Sequence, residues 1–209
     1  KVTMQNNDKL AEILFQFVEK NDNTEIKPLG AGHINDSYRA KSGDNEYVLQ
    51  RINHQIFKDV AQLQNNIMRV TDHLRRKLEE KNISNIDRRV LNFLPTHDGK
   101  LYYKDTEGNY WRVMDFISDS KSYEAINPEL AYRAGLAFGD FQKELADLPN
   151  GPLFETIPNF HNMEFRLEEF KEAVEKDAAG RVAKVSDLIK EIEARAEEMT
   201  KPERLHREG

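Results

Sequence analysis

Apolar positions along this chain change period several times, and each change marks an element. Leu10, Ile13, Leu14, Phe17 and Val18 recur three and four residues apart, which predicts a helix that Asn7 and Asp8 can cap and that runs to about Lys20. Asn21-Asp22-Asn23 stops it. Thr24 to Leu29 then predicts a short strand feeding a turn at Gly30-Ala31-Gly32. Tyr47 to Ile52, aromatic, β-branched and aliphatic, predicts the returning strand of a hairpin. From Asp59 to about Lys81 the period goes back to three and four through Val60, Leu63, Ile67, Val70, Leu74 and Leu78, so a long helix with a core-facing stripe is expected. Arg88 to Pro95, Leu101 to Lys104 and Tyr110 to Ile117 predict further strands, separated by turns at His97-Asp98-Gly99 and Thr106-Glu107-Gly108-Asn109.

After Ser118 the pattern becomes helical. Asp119-Ser120-Lys121-Ser122 reads as a linker, Asn127 caps a helix with Pro128 in its first turn, and Leu130, Ala134, Leu136, Ala137, Phe138 and Phe141 form its apolar side as far as Leu148. Gly151 to His161, with two prolines, is a loop. Met163 to Lys176 and Val182 to Met199 predict two amphipathic helices, and the charged tail from Lys201 to Gly209 is expected to fray. Strands and one long helix first, helices afterwards, make an α+β chain with an antiparallel sheet rather than a βαβ series. The boundary falls between residues 1–118 and 119–209.

Composition narrows the chemistry. The 209 residues include no cysteine, which removes disulfides, thiolate nucleophiles and zinc–thiolate sites. A formal charge of -6 without a basic stripe argues against a nucleic-acid partner. No run is long enough to span a membrane and Lys1 to Asn23 lacks the apolar core of a secretory signal, so a cytoplasmic protein with no membrane partner is expected.

The stretch with the most chemical promise is the hairpin. Gly30 and Gly32 let the backbone take positive φ and approach an anion without a Cβ in the way. Alternation puts Leu49 and Arg51 on one face of the returning strand and Val48 and Gln50 on the other, so Leu49 and Arg51 could form the floor of a nucleotide site. Glycine turns and strand-end arginines also occur as plain turn chemistry and edge charges, and composition alone leaves both readings open.

Several blocks, in order and over most of the chain, carry a resemblance: Leu29-Gly30-Ala31-Gly32-His33-Ile34-Asn35-Asp36-Ser37-Tyr38, Tyr47-Val48-Leu49-Gln50-Arg51-Ile52-Asn53 with Phe57 and Lys58, Trp111-Arg112-Val113, Ala137-Phe138-Gly139-Asp140-Phe141-Gln142, and Glu155-Thr156-Ile157-Pro158-Asn159-Phe160-His161. Jointly they resemble the protein-kinase-like two-lobed fold and, within it, the aminoglycoside phosphotransferase and choline kinase superfamily, with the closest look to the N-acetylhexosamine 1-kinase group. That resemblance implies a small-molecule kinase using ATP and Mg2+, with an amino sugar as acceptor. It implies that the Gly30 to Gly32 turn covers the phosphates and that Asn35 ties the turn down. Arg51 falls where protein kinases have the strand-3 lysine, with Gln50 as the alternative if the register slips by one. Met114 and Phe116 would pack the adenine in the segment joining the lobes, or simply belong to a buried strand. His161 would lie on the acceptor side, or only cap the helix near Met163. Where kinases brace the cation with a glutamate, Gln62-Leu63-Gln64-Asn65-Asn66 has no carboxylate, and Asn65 is the nearest candidate.

One departure is decisive. The superfamily carries a catalytic loop of the form His-x-Asp-x-x-x-x-Asn followed by a magnesium-binding aspartate, and no histidine here begins such a loop. Phosphoryl transfer needs metal ions and a positioned base, so this chain alone is expected to be inactive, an amino-terminal portion ending in the first helices of a truncated helical lobe. The alternative is a non-catalytic kinase-like module that binds a nucleotide or a partner. An uncovered apolar face on the helices after Pro128 would count against that alternative.

Overall fold

In the computed structural model, which describes residues 4–30, 34–123 and 125–208, the expected hairpin forms as β1 (Thr24–Pro28), β2 (Asp36–Ser42) and β3 (Asn45–Ile52), paired antiparallel. The sheet continues through β6 (Tyr110–Asp115) to β4 (Phe93–Leu94), in the order β1-β2-β3-β6-β4, with β5 (Tyr103–Lys104) paired on β6. One face is apolar and closed. Ile26, Ala40, Leu49, Trp111 and Val113 meet Leu10, Ile13, Leu14, Phe17 and Val18 from the amino-terminal segment, and this cluster is the core. The other face meets the long helix α2 (Val60–Glu80).

Helix starts follow their caps. Asp59 accepts the Gln62 N–H at 2.9 Å to open α2, and Asn127 accepts the Leu130 N–H at 2.8 Å to open α3 (Pro128–Leu145). On α2 the apolar stripe is only half-buried after Val60, and the buried positions within the helix are Gln64 and His73. The apolar side expected on α3 stays uncovered, with Leu136, Phe138 and Phe141 exposed.

Several boundaries differ from expectation. Helix α1 runs Met4–Leu14, so Asn7 and Asp8 lie inside it rather than capping it. It tightens at its end into three-residue turns, Gln16 N–H to Ile13 and Phe17 N–H to Leu14, which swing Phe17 and Val18 into the core. The strand expected at Arg88 to Pro95 shrinks to the two residues of β4, the two that pair with β6, and Arg88 belongs instead to a 3₁₀ turn at Ile86–Arg88.

The chain forms two compact units, Lys1–Thr156 and Ile157–Gly209. The second contains α4 (Met163–Lys176), a 3₁₀ turn at Val182–Lys184 that breaks the single helix expected there, α5 (Ser186–Met199) and α6 (Lys201–Glu208). The tail expected to fray is thus helical. Glu203 accepts the Met163 N–H at 2.8 Å and Arg207 forks onto Glu164 at 2.7 Å, which ties α6 to the start of α4. Among the described residues no helix is long and apolar enough to cross a membrane.

Candidate functional site

The polar centre of the molecule lies on the α2 side of the sheet. Antiparallel register sets Ser37 beside Gln50 and Gln50 beside Arg112, and Gln64 reaches them from α2. Arg112 Nε and Nη2 donate to Gln50 Oε1 at 2.9 and 2.6 Å, and Nη1 donates to Gln64 Oε1 at 2.9 Å. The glutamines are held in turn. Gln50 Nε2 donates to Ser37 Oγ at 2.8 Å, and Gln64 Nε2 donates to the Leu101 carbonyl at 2.9 Å. The Phe93 ring lies under the guanidinium, 5.4 Å from its centre.

No carboxylate among the described residues pairs with Arg112. Burial pulls its guanidinium down to about 10, still cationic at neutral pH, so a partly desolvated charge is met by amide dipoles and the Phe93 ring. Of its five N–H hydrogens, the two glutamines take three, leaving two for another acceptor. A half-buried cation with spare donors and no counter-charge is what an anionic ligand would complete.

Other parts of the hairpin lead to this cluster. The Leu29 N–H donates to the Ser37 carbonyl at 2.8 Å, so Gly30 begins its turn one residue from the Ser37–Gln50–Arg112 chain. Gly30 takes a φ of 69°, and a Cβ there would meet nothing within 4 Å, so the requirement for glycine is conformational. Gly32 lies outside the described residues. Asn35 Oδ1 accepts the Asn53 N–H at 2.9 Å and so joins the start of β2 to the end of β3. At the far end of the same face Phe116 is half-buried, its N–H on the Glu46 carbonyl at 3.0 Å, with the Arg39 guanidinium stacked 4.3 Å from its ring centre. Met114, between Phe116 and Arg112 on that face, is buried.

Leu49 and Arg51 stand on the opposite face. Leu49 is wholly buried in the core and presents no surface to a ligand. Arg51 forks onto Asp36 and borders an open hollow of about 290 Å³ with Asn53 and His54. It is Gln50, the register alternative, that meets the α2 side. Asn65, expected to brace the cation, is exposed, and Gln64 takes that place because it is the residue of the segment that points at the sheet. His161 belongs to the second unit, where its ring meets Phe160 edge-on at 4.6 Å and Asn162, not His161, caps α4.

The sequence pattern of the phosphotransferase enzyme family matches residues 25–208. The fold is similar to that of a spectinomycin phosphotransferase whose crystal structure was solved in complex with ADP and spectinomycin, at a TM-score of 0.54 and 12% identity. That likeness covers 91% of this chain and 55% of the other, so this chain spans about half the length of the structure it matches.

Proposed function

The chain belongs to the phosphotransferase enzyme family, and on that premise we propose that it carries the phosphate-binding side of an ATP-dependent kinase for small-molecule hydroxyls. The observation that carries this reading is Arg112, a half-buried guanidinium braced by Gln50 and Gln64 with no carboxylate partner among the described residues. In this reading Arg112 holds α- and β-phosphate oxygens, the turn at Gly30 offers backbone N–H groups, and Asn35 fixes the turn. Phe116, with Met114 behind it, packs the base. The phosphate-facing cation therefore comes from β6 and not, as Arg51 would have it, from β3.

The transfer breaks the bond from the γ-phosphorus of ATP to its bridging oxygen and forms one to the acceptor oxygen, with ADP leaving and the hydroxyl proton released to solvent. The acceptor class we favour is an amino sugar such as an N-acetylhexosamine, on the strength of the sequence blocks at Leu29 to Tyr38 and Tyr47 to Asn53. His161 is kept as an acceptor-side candidate. Magnesium would neutralise phosphate charge in such a transfer. Among the described residues no three acidic or histidine side chains converge to hold it.

Calorimetric titration of ATP into this chain tests the reading. Arg112→Met is expected to weaken binding about tenfold, close to 1.4 kcal/mol, while Arg51→Ala changes it by less than about twofold because an exposed ion pair is worth little. Equal affinities for wild type and Arg112→Met, or a loss confined to Arg51→Ala, would overturn it.

A further inference from the structure

A stripe of polar residues runs down α2 on the side away from the sheet. Asn66, Arg69, His73 and Lys77 follow one another at three- and four-residue steps and share a helix face. Gln64, two residues before Asn66, projects from roughly the opposite side of the helix. Each member of the stripe grips the end of α3 or the loop after it. Asn66 pairs with the Phe154 backbone as a neighbouring strand would, donating to its carbonyl at 2.7 Å and accepting its N–H at 3.0 Å. Arg69 inserts its guanidinium among three main-chain carbonyls, Pro149 at 2.8 Å, Gly151 at 2.7 Å and Pro152 at 3.1 Å. His73 Nε2 lies 3.0 Å from the Glu144 carbonyl, and Lys77 donates to Asp147 at 2.7 Å.

The loop is shaped for this grip. Asn150 and Gly151 both take left-handed backbone, with φ of 69° and 75°, and the reversal they make brings carbonyls from either side of it onto one guanidinium. Arg69 has no carboxylate within ion-pair reach among the described residues, and its Nε is buried without a partner. A solvated surface arginine would give up water for neither arrangement. Fixing α2 from behind decides where its front presents Gln64, and Gln64 Oε1 sets the Arg112 guanidinium at 2.9 Å.

We propose that the loop at 149–154 is a strap that sets the position of α2, and that Arg69 is a positioning residue for the Arg112 site, acting through Gln64. The coupling to ligand rests on the nucleotide reading above, whereas the hold on α2 does not. Two measurements separate them.

Hydrogen exchange of the ligand-free chain comes first. Arg69→Met is expected to raise amide exchange over residues 62–70 and 149–154 by about tenfold and by clearly less over β2 and β3, since the added opening is local, and Arg69→Lys, which can still donate to the carbonyls, recovers part of the protection. Unchanged exchange over 62–70 in Arg69→Met, or a rise across the sheet as large as that over 62–70, would overturn the strap.

ATP titration comes second. Arg69→Met is expected to weaken ATP about fivefold, and in a Gln64→Leu background the same substitution is expected to change affinity by less than about twofold. A full fivefold loss in the Gln64→Leu background would overturn the route through Gln64. If wild type binds no ATP, the nucleotide reading fails and with it the coupling, while exchange still decides the strap.

Discussion

Single residues carry the chemistry of this fold where they interrupt an apolar pattern. Arg112 sits between Trp111 and Val113 as Arg51 sits beside Ile52, so the sequence signal for the two cations is the same. What the sequence could not supply is which strand face meets α2. Period two divides β3 into two sets but does not say which is covered by which helix, and both sets mix polar with apolar residues. Once the register is known, the Arg51 face carries Leu49 into the core and the Gln50 face turns to the long helix. A second interruption is structural. Asp105 accepts the Trp111 indole N–H at 2.9 Å and the Asn109 N–H at 2.8 Å, both in a buried corner between β5 and β6. Burial works against its ionisation, but the hydrogen bonds from Trp111 and Asn109 win and hold its carboxyl below the usual range. Asp105→Ala strands a buried indole donor and is expected to cost about 2 kcal/mol of stability. Chemical denaturation followed by the fluorescence of Trp111, the chain's one tryptophan, checks this, with a red-shifted native emission as the accompanying sign.

At the scale of elements, long segments with caps were legible and short ones were not. Asp59 and Asn127 open α2 and α3 where the polar-to-apolar switch predicts, because an N-cap satisfies orphan N–H groups by purely local chemistry. Replacing Asp59 by alanine should cost about 1 kcal/mol, a fall of roughly 2–4 °C in melting temperature for a chain of this size, read by calorimetry. The two-residue strands β4 and β5 owe their existence to β6 beside them, and α6 owes its order to Glu164 and Met163 on another helix; no window of sequence contains those partners. The joint between α2 and α3 adds a pH term. Asp147 is pulled from its ordinary 3.8 to about 2, chiefly by the hydrogen bond from Lys77 and in part by that from His73, while Glu144 is lowered by Lys81 and Lys77. A depressed carboxyl stabilises the fold above its unfolded value and loses that contribution as pH falls through the folded one. The difference in melting temperature between wild type and Asp147→Asn should therefore hold from neutrality to about pH 4 and close as pH drops towards 2.

For the whole molecule, the order of strands and helices followed from period changes, and the α+β class with it, because burial of one face per element leaves a readable period. The polar centre of the Arg112 site was less legible for the opposite reason: Gln64 and Gln50 look like surface amides in any window, and only the sheet register brings them together. The strap is the most distant of these assemblies along the chain, since Asn66 and Phe154 are 88 residues apart. That separation has a kinetic meaning. The hairpin of β1 to β3 closes short loops and can form early, whereas contacts across so long a loop must wait until the chain between them is largely in place. Substitutions at Asn66 and Arg69 should then leave the refolding rate almost unchanged and appear in the rate of unfolding, with φ below about 0.3. In a stopped-flow chevron the folding limbs of Arg69→Met and wild type would superimpose and the unfolding limbs part, so that this loop governs how long the folded chain lasts rather than how quickly it forms.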